Sequence, residues 1–136
     1  MNTWDLKLDE LKDKHLLLAH SGGLDSSVLA FILLREKIQF SVAHCNFQLR
    51  GKESDEDLNF VKKWCDYNEV TLYAKVFEAK IYKEQHKLST QEAARELRYD
   101  WFYSLMNQYG MYGIVTGHHL NDQLETFLII SSTELS

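Results

Sequence analysis

His15-Leu16-Leu17-Leu18-Ala19-His20-Ser21-Gly22-Gly23-Leu24-Asp25-Ser26 is the stretch whose reading governs everything else in the chain. Its first half is a short apolar run bounded by Ser-Gly-Gly, which reads as a buried strand. Beyond it, Val28, Leu29, Phe31 and Ile32 recur at helical spacing over Ser26–Arg35. A strand that passes through a glycine turn into a helix is the opening of an α/β unit. The turn, Ser21 to Ser26, aims successive backbone N–H groups at one point, and the helix N-terminus adds partial positive charge. That is an anion site suited to phosphate or pyrophosphate. Gly22 and Gly23 permit positive φ and close approach of a ligand to the backbone. The Ser21 and Ser26 hydroxyls suit phosphate oxygens, and Asp25 suits a bridging Mg²⁺. The spacing is neither G-x-G-x-x-G nor G-x-x-x-x-G-K-[ST]. A plain βα turn with Asp25 or Ser26 as helix N-cap is the other reading these residues allow.

Outward from this stretch, strand and helix patterns alternate. Phe40–His44 reads as a second strand. Asp55–Tyr67 reads as a helix with Leu58, Val61 and Cys65 on one face and Phe60 and Trp64 beside it. Thr71–Phe77 alternates and carries β-formers, so it is a third strand. Ser89 and Glu92 form a capping-box pattern that starts a long helix, stopped by Gly110. Tyr112–Thr116 is a fourth strand, and Asn121–Ile130 is expected to be a further helix. Helical crossovers between strands imply a Rossmann-like parallel α/β sheet flanked by helices. Trp64, Trp101 and Phe102 sit at core-packing positions, and no internal repeat or linker interrupts the pattern.

Length and composition agree with one globular domain: 136 residues, 45% hydrophobic and 26% charged, which excludes a disordered or low-complexity chain. The formal charge of −5 excludes an overall basic field that would steer the chain to nucleic acid or anionic membrane. No apolar run approaches the ~20 residues of a membrane span. Met1-Asn2-Thr3-Trp4-Asp5 lacks the basic-then-apolar pattern of a secretory signal. Cys45 and Cys65 match no zinc spacing and build no disulfide framework, so the expectation is a cytoplasmic protein with reduced thiols.

Ser21-Gly22-Gly23-Leu24-Asp25-Ser26 resembles the PP-loop of the N-type ATP pyrophosphatases, which split ATP to AMP and pyrophosphate. Three more segments narrow the resemblance to the tRNA(Ile)-lysidine synthetases. They are His44-Cys45-Asn46-Phe47-Gln48-Leu49-Arg50-Gly51 with Ser54, Asp57 and Phe60-Val61; Gln91-Glu92-Ala93-Ala94-Arg95-Glu96-Leu97-Arg98-Tyr99; and Gly117-His118-His119-Leu120-Asn121-Asp122-Gln123-Leu124-Glu125-Thr126. With the loop they run in order from about residue 15 to about residue 130.

The resemblance implies a PP-loop fold with strand order 3-2-1-4 and any fifth strand beyond Ser136. It implies ATP and Mg²⁺ as cofactors, and lysine and a tRNA(Ile) precursor with a CAU anticodon as substrates. Lysine would be ligated to C2 of the wobble cytidine through an adenylylated intermediate, with release of AMP and pyrophosphate. Residue by residue, Ser21, Gly22, Gly23, Leu24, Asp25, Ser26, His44, Arg50 and Gly117 would contact the nucleotide. Asp25, His118 and Asp122 would be catalytic, and Asp25 and Glu125 would hold the metal. Lysine carries a carboxylate and two amines, so Arg98 would clamp the former while Asp25 and Asp122 face the latter.

Simpler roles stand beside these. His118 and His119 suit turn histidines satisfied by backbone groups, or in principle a zinc site, although neighbours in an extended segment rarely share one ion. Arg95 suits an intrahelical pair with Glu92, while Arg98 has no acid at i±3 or i±4. Arg50 suits a solvated loop charge beside Lys52. Asp122 and Glu125 would share one helical face. Cys45, with no Cys-x-x-Cys partner, reads as a small buried residue and not as a sulfur relay.

Two departures from the family pattern stand out. The family commonly has Asp-His-Gly where this chain has Asn46-Phe47-Gln48, and an acidic residue where it has Asn121. The chain also closes on Ser131-Ser132-Thr133-Glu134-Leu135-Ser136 where family members continue. Residues 1–136 are therefore expected to be an incomplete N-terminal catalytic domain, inactive on tRNA alone, with a homodimer left open. Competing readings are another N-type synthetase with a different acceptor, or a non-catalytic ATP-binding module.

Overall fold

The structure, a computed structural model, describes residues 9–49, 51–120 and 123–131, with the part from Gly117 described as backbone only. In chain order the elements are β1 (His15–Ala19), α1 (Leu24–Arg35), β2 (Gln39–Asn46), α2 (Lys52–Tyr67), β3 (Leu72–Val76), α3 (Ala79–His86), α4 (Thr90–Tyr109), β4 (Gly113–Leu120) and β5 (Gln123–Ser131). The sheet order is β3-β2-β1-β4-β5. β1 pairs in parallel with β2 and β4, and β2 with β3, giving the expected 3-2-1-4 parallel core.

β1 lies at the centre because it is apolar on both faces, as a strand buried between helix layers must be. Leu16 and Leu18 point to one side and join Leu29, Ala30, Leu33, Val61 and Cys65 from α1 and α2. Leu17, between them, points to the other side and joins Phe102, Leu105 and Met106 from α4. Trp64 packs against the first cluster, and Phe102 is buried in the second with Trp101 against it. On α1 the buried face is Ser26, Leu29, Ala30 and Leu33, so Val28 and Phe31 are exposed in spite of their helical spacing. In a run apolar on nearly every side, spacing does not say which side meets the sheet.

The chain after β4 departs from expectation. Instead of a helix over Asn121–Ile130, residues Gln123–Ser131 form β5, antiparallel to β4 from Leu120↔Gln123 to Gly113↔Ser131. Only two residues separate the strands, enough for a hairpin return but far too few for a parallel crossover. The run Thr126-Phe127-Leu128-Ile129-Ile130 is rich in β-formers, and short apolar runs do not separate strand from helix by periodicity. A fifth strand therefore lies within the chain. Helix α3 carries no clear stop signal in the sequence, because it ends on Lys87 in the left-handed region and not on a glycine. The capping box at the start of α4 is formed as expected: Ser89 Oγ accepts from the Glu92 amide and Glu92 Oε1 accepts from the Ser89 amide, each at 3.1 Å.

Candidate active site

The loop Ser21–Ser26 lies at the carboxyl edge of β1, where open α/β sheets bind ligands. Helix α1 starts at Leu24, two residues earlier than its apolar pattern suggests, with Gly23 as N-cap and no side-chain cap. The N-cap is thus neither Asp25 nor Ser26, as the plain-turn reading supposed. Ser26, buried, reaches back instead, its Oγ accepting the Ser21 amide at 3.2 Å and lying 3.1 Å from Ser21 Oγ. Ser21 Oγ accepts the Gly23 amide at 3.2 Å, and Ser27 Oγ donates to the Gly23 carbonyl at 2.8 Å. The serines therefore hold the loop, and the bond between them uses one of their two hydroxyl protons. Asp25 sits on the first turn of α1, and Leu24 is largely exposed.

Gly22 is where the loop needs glycine. Its φ is +91°, and a Cβ there would sit 2.8 Å from Asp57 Cβ and 3.1 Å from Asp57 Cγ. Asp57, on α2, therefore braces the outer side of the loop. Together with Ser21, His44, Cys45, Phe47, Leu49 and Ser54 it lines a cavity of about 150 Å³. His44 is buried, and its Nδ1 donates to the His20 carbonyl at 2.8 Å. That bond selects the tautomer in which Nε2 of a neutral ring is an acceptor.

Arg98, on α4, comes within electrostatic reach of Cys45. It is one of the two cations felt by the Cys45 thiol, Lys75 on β3 being the other. Burial nevertheless pushes that thiol up to about 12, so Cys45 stays protonated near neutrality. Arg95 does not pair with Glu92, which is engaged in the capping box; its guanidinium carbon lies 5.0 Å from the Tyr99 ring centroid, and that of Arg98 5.4 Å. Gly117 and His118 lie on β4, so the histidines extend the strand and do not follow it. Glu125 lies on β5, so its expected helical face with Asp122 is not formed. Arg50, Asn121 and Asp122 lie outside the described residues.

The Asn46-Phe47-Gln48 departure has a local explanation. Asn46 Oδ1 accepts the Gln48 amide at 2.9 Å, forming the turn after β2, and Gln48 has φ +56°. The family's glycine thus falls on a left-handed position that glutamine occupies under strain. Gln48→Gly is expected to raise stability by about 1 kcal/mol, read as a higher urea midpoint at unchanged slope.

His20 carries no role in the sequence expectations beyond closing a strand, yet it is 2% exposed and contacts the loop directly. Its Nδ1 accepts the Gly22 amide at 3.0 Å, and the rings of Phe60 and Trp64 lie against it. Burial, reinforced by the neighbouring His44, lowers its pKa from 6.5 to about 4. An unfolded chain therefore takes up a proton near pH 6.5 that the fold refuses until about pH 4. This contribution to stability is complete above pH 6.5 and is lost as the pH falls toward 4, by about 3 kcal/mol. Urea unfolding between pH 7 and pH 4 checks it, because His20→Leu should remove this part of the slope.

The PP-loop domain model matches residues 3–134. The chain is 41% identical over 118 residues to a protein named tRNA(Ile)-lysidine synthase from Bacteroides thetaiotaomicron, covering 87% of this chain and 28% of that one. It is 39% identical over 123 residues to a protein of the same name from Porphyromonas gingivalis, covering 90% and 27%. The chain thus spans between a quarter and a third of the length of these curated relatives. Among solved structures, NMN synthetase from Francisella tularensis shares the fold, with a TM-score of 0.60 at 16% identity over 82% of this chain and 50% of that one. No described helix is long and apolar enough to cross a membrane.

Proposed function

The chain belongs to the PP-loop domain family, and on that premise we propose that it is the ATP-binding catalytic part of a tRNA(Ile)-lysidine synthetase. The observation that carries this reading is its similarity, across 87% of its length, to a protein of that name. The loop is suited to the task. The start of α1, which has no side-chain cap, and the hydroxyl proton that the Ser21–Ser26 bond leaves are donors a triphosphate could use, and Gly22 permits the φ +91° turn against Asp57.

In the reaction proposed, the C2 oxygen of the wobble cytidine attacks the α-phosphorus of ATP and pyrophosphate leaves. The ε-amine of lysine then attacks C2, loses a proton, and AMP leaves with the former C2 oxygen. Ser21 and Ser26 would contact the phosphates alongside the amides of the first α1 turn. His44, with Nε2 as an acceptor, and Arg50 would meet the nucleotide. Asp25 and Glu125 would hold Mg²⁺, which neutralises phosphate charge when bound. Arg98 would clamp the lysine carboxylate, with Asp25 and Asp122 facing its ammonium groups and His118 stabilising the transition-state charge. Residues 1–136 would be the N-terminal part of that enzyme, its tRNA-gripping surface lying outside them.

Isothermal titration with MgATP and then L-lysine tests the reading. Both are expected to bind, and Arg98→Ala is expected to weaken lysine by at least about tenfold while sparing ATP. Binding of ATP with no lysine site would favour a non-catalytic module, and binding of a different amino acceptor another N-type synthetase.

A further inference from the structure

The loop's geometry leads back to one buried side chain. His20 directly follows the leucine-rich β1, and an apolar residue at position 20 would suit the space beside Phe60 and Trp64. A histidine stands there instead, and its Nε2 is the one buried side-chain polar atom without a hydrogen-bond partner among the described residues. Such an atom costs stability, so the residue calls for a reason elsewhere. Its backbone is already committed to β2: the amide donates to the Ala43 carbonyl at 2.9 Å, and the carbonyl accepts from His44 Nδ1 at 2.8 Å. The ring is thus held still from behind and meets the loop through Nδ1 alone. An amide only donates, so Nδ1 bears no proton, and in the neutral ring the proton sits on the partnerless Nε2.

We propose that His20 is a positioning residue for the anion loop: its unprotonated Nδ1 holds the Gly22 N–H inward and so fixes the left-handed turn from which the α1 N-terminus faces a phosphate. The inference rests on the nucleotide reading of that loop. It separates two roles that buried residues usually combine, because His20 orders the loop at a cost to the core. The two substitutions that divide these roles are His20→Leu, which fills the space without an acceptor, and His20→Asn, whose amide oxygen falls close to the place of Nδ1.

Three measurements on the 136-residue chain decide the matter: hydrogen exchange of the Gly22 amide without ligand, titration with MgATP and with inorganic pyrophosphate, and the melting temperature. His20→Leu is expected to speed Gly22 exchange and to weaken both ligands by about tenfold, with a melting temperature equal to or above that of the parent. His20→Asn is expected to bring exchange and affinity back to within about threefold of the parent. The proposal fails if His20→Leu leaves Gly22 protected and affinity intact, or if His20→Asn binds as poorly as His20→Leu. It fails equally if affinity drops only in step with the melting temperature, the mark of a merely structural residue. If the parent chain bound neither ATP nor pyrophosphate, the nucleotide reading would fall, and Gly22 exchange would still decide whether His20 holds the loop.

Discussion

Gly22→Ala is expected to cost at least about 100-fold in MgATP affinity, close to 3 kcal/mol, in a chain that still folds. Two independent effects act on the same atom. A side chain at φ +91° is strained whatever surrounds it. The new Cβ also falls 2.8 Å from Asp57 Cβ, which is fixed to the α2 backbone and, unlike the end of a long side chain, has no rotamer that moves it away. The loop must therefore shift, taking with it the amide that His20 holds and the serine contacts behind it. Few core contacts are touched, so the circular dichroism spectrum should be unchanged. Asp57→Gly in the Gly22→Ala background removes the opposing Cβ and is expected to recover part of the affinity, the remainder being backbone strain. Titration calorimetry on the single and double variants reads both terms. MgATP binding by Gly22→Ala within threefold of the parent would refute the account.

The second large effect belongs to the opposite face of the sheet. Phe102 is 1% exposed and lies at the heart of the cluster formed by Leu17, Ala43, Leu105, Met106, Met111 and Ile114. Its ring meets Tyr99 and Trp101, each at a centroid distance of 5.8 Å. Phe102→Ala removes a whole ring from a site closed by the central sheet, so the cavity cannot collapse readily. A loss of about 3–5 kcal/mol is expected, read as a lower urea midpoint. Phe102→Leu, which keeps most of the volume, should cost clearly less. Because α4 also carries Arg98, the alanine variant should weaken any lysine site along with stability. A loss below 1 kcal/mol would mean that α4 is held to the sheet by other contacts.

These effects trace to different depths of information. The strand–turn–helix at residues 15–35 was legible because its signals are local: an apolar run of strand length, two glycines and helical spacing within a few residues. The capping box at Ser89 and Glu92 was legible for the same reason. Helix α3 carried no comparable punctuation, ending at Lys87 with φ +54°. The segment after β4 reads as a helix from sequence because the run Phe127–Ile130 suits either element, and what makes it a strand is its antiparallel pairing with the free edge of β4. The Arg95–Glu92 pair was a sound expectation for an exposed helix, and was displaced by the cap's claim on Glu92 and by Tyr99.

Chemical identity and order along the chain were in the residues themselves: a glycine-serine loop after the first strand, the parallel α/β pattern and the sequence of motifs. Who meets whom was not. That Asp57 closes the space above Gly22, that Arg98 comes within the field of Cys45, and that His20 surrenders one nitrogen to Gly22 while the other goes unpaired are contacts between elements far apart in sequence or closed off by burial. Local propensity acts over one or two turns of chain, whereas burial and hydrogen-bond satisfaction are set by what the folded sheet and its helices bring together.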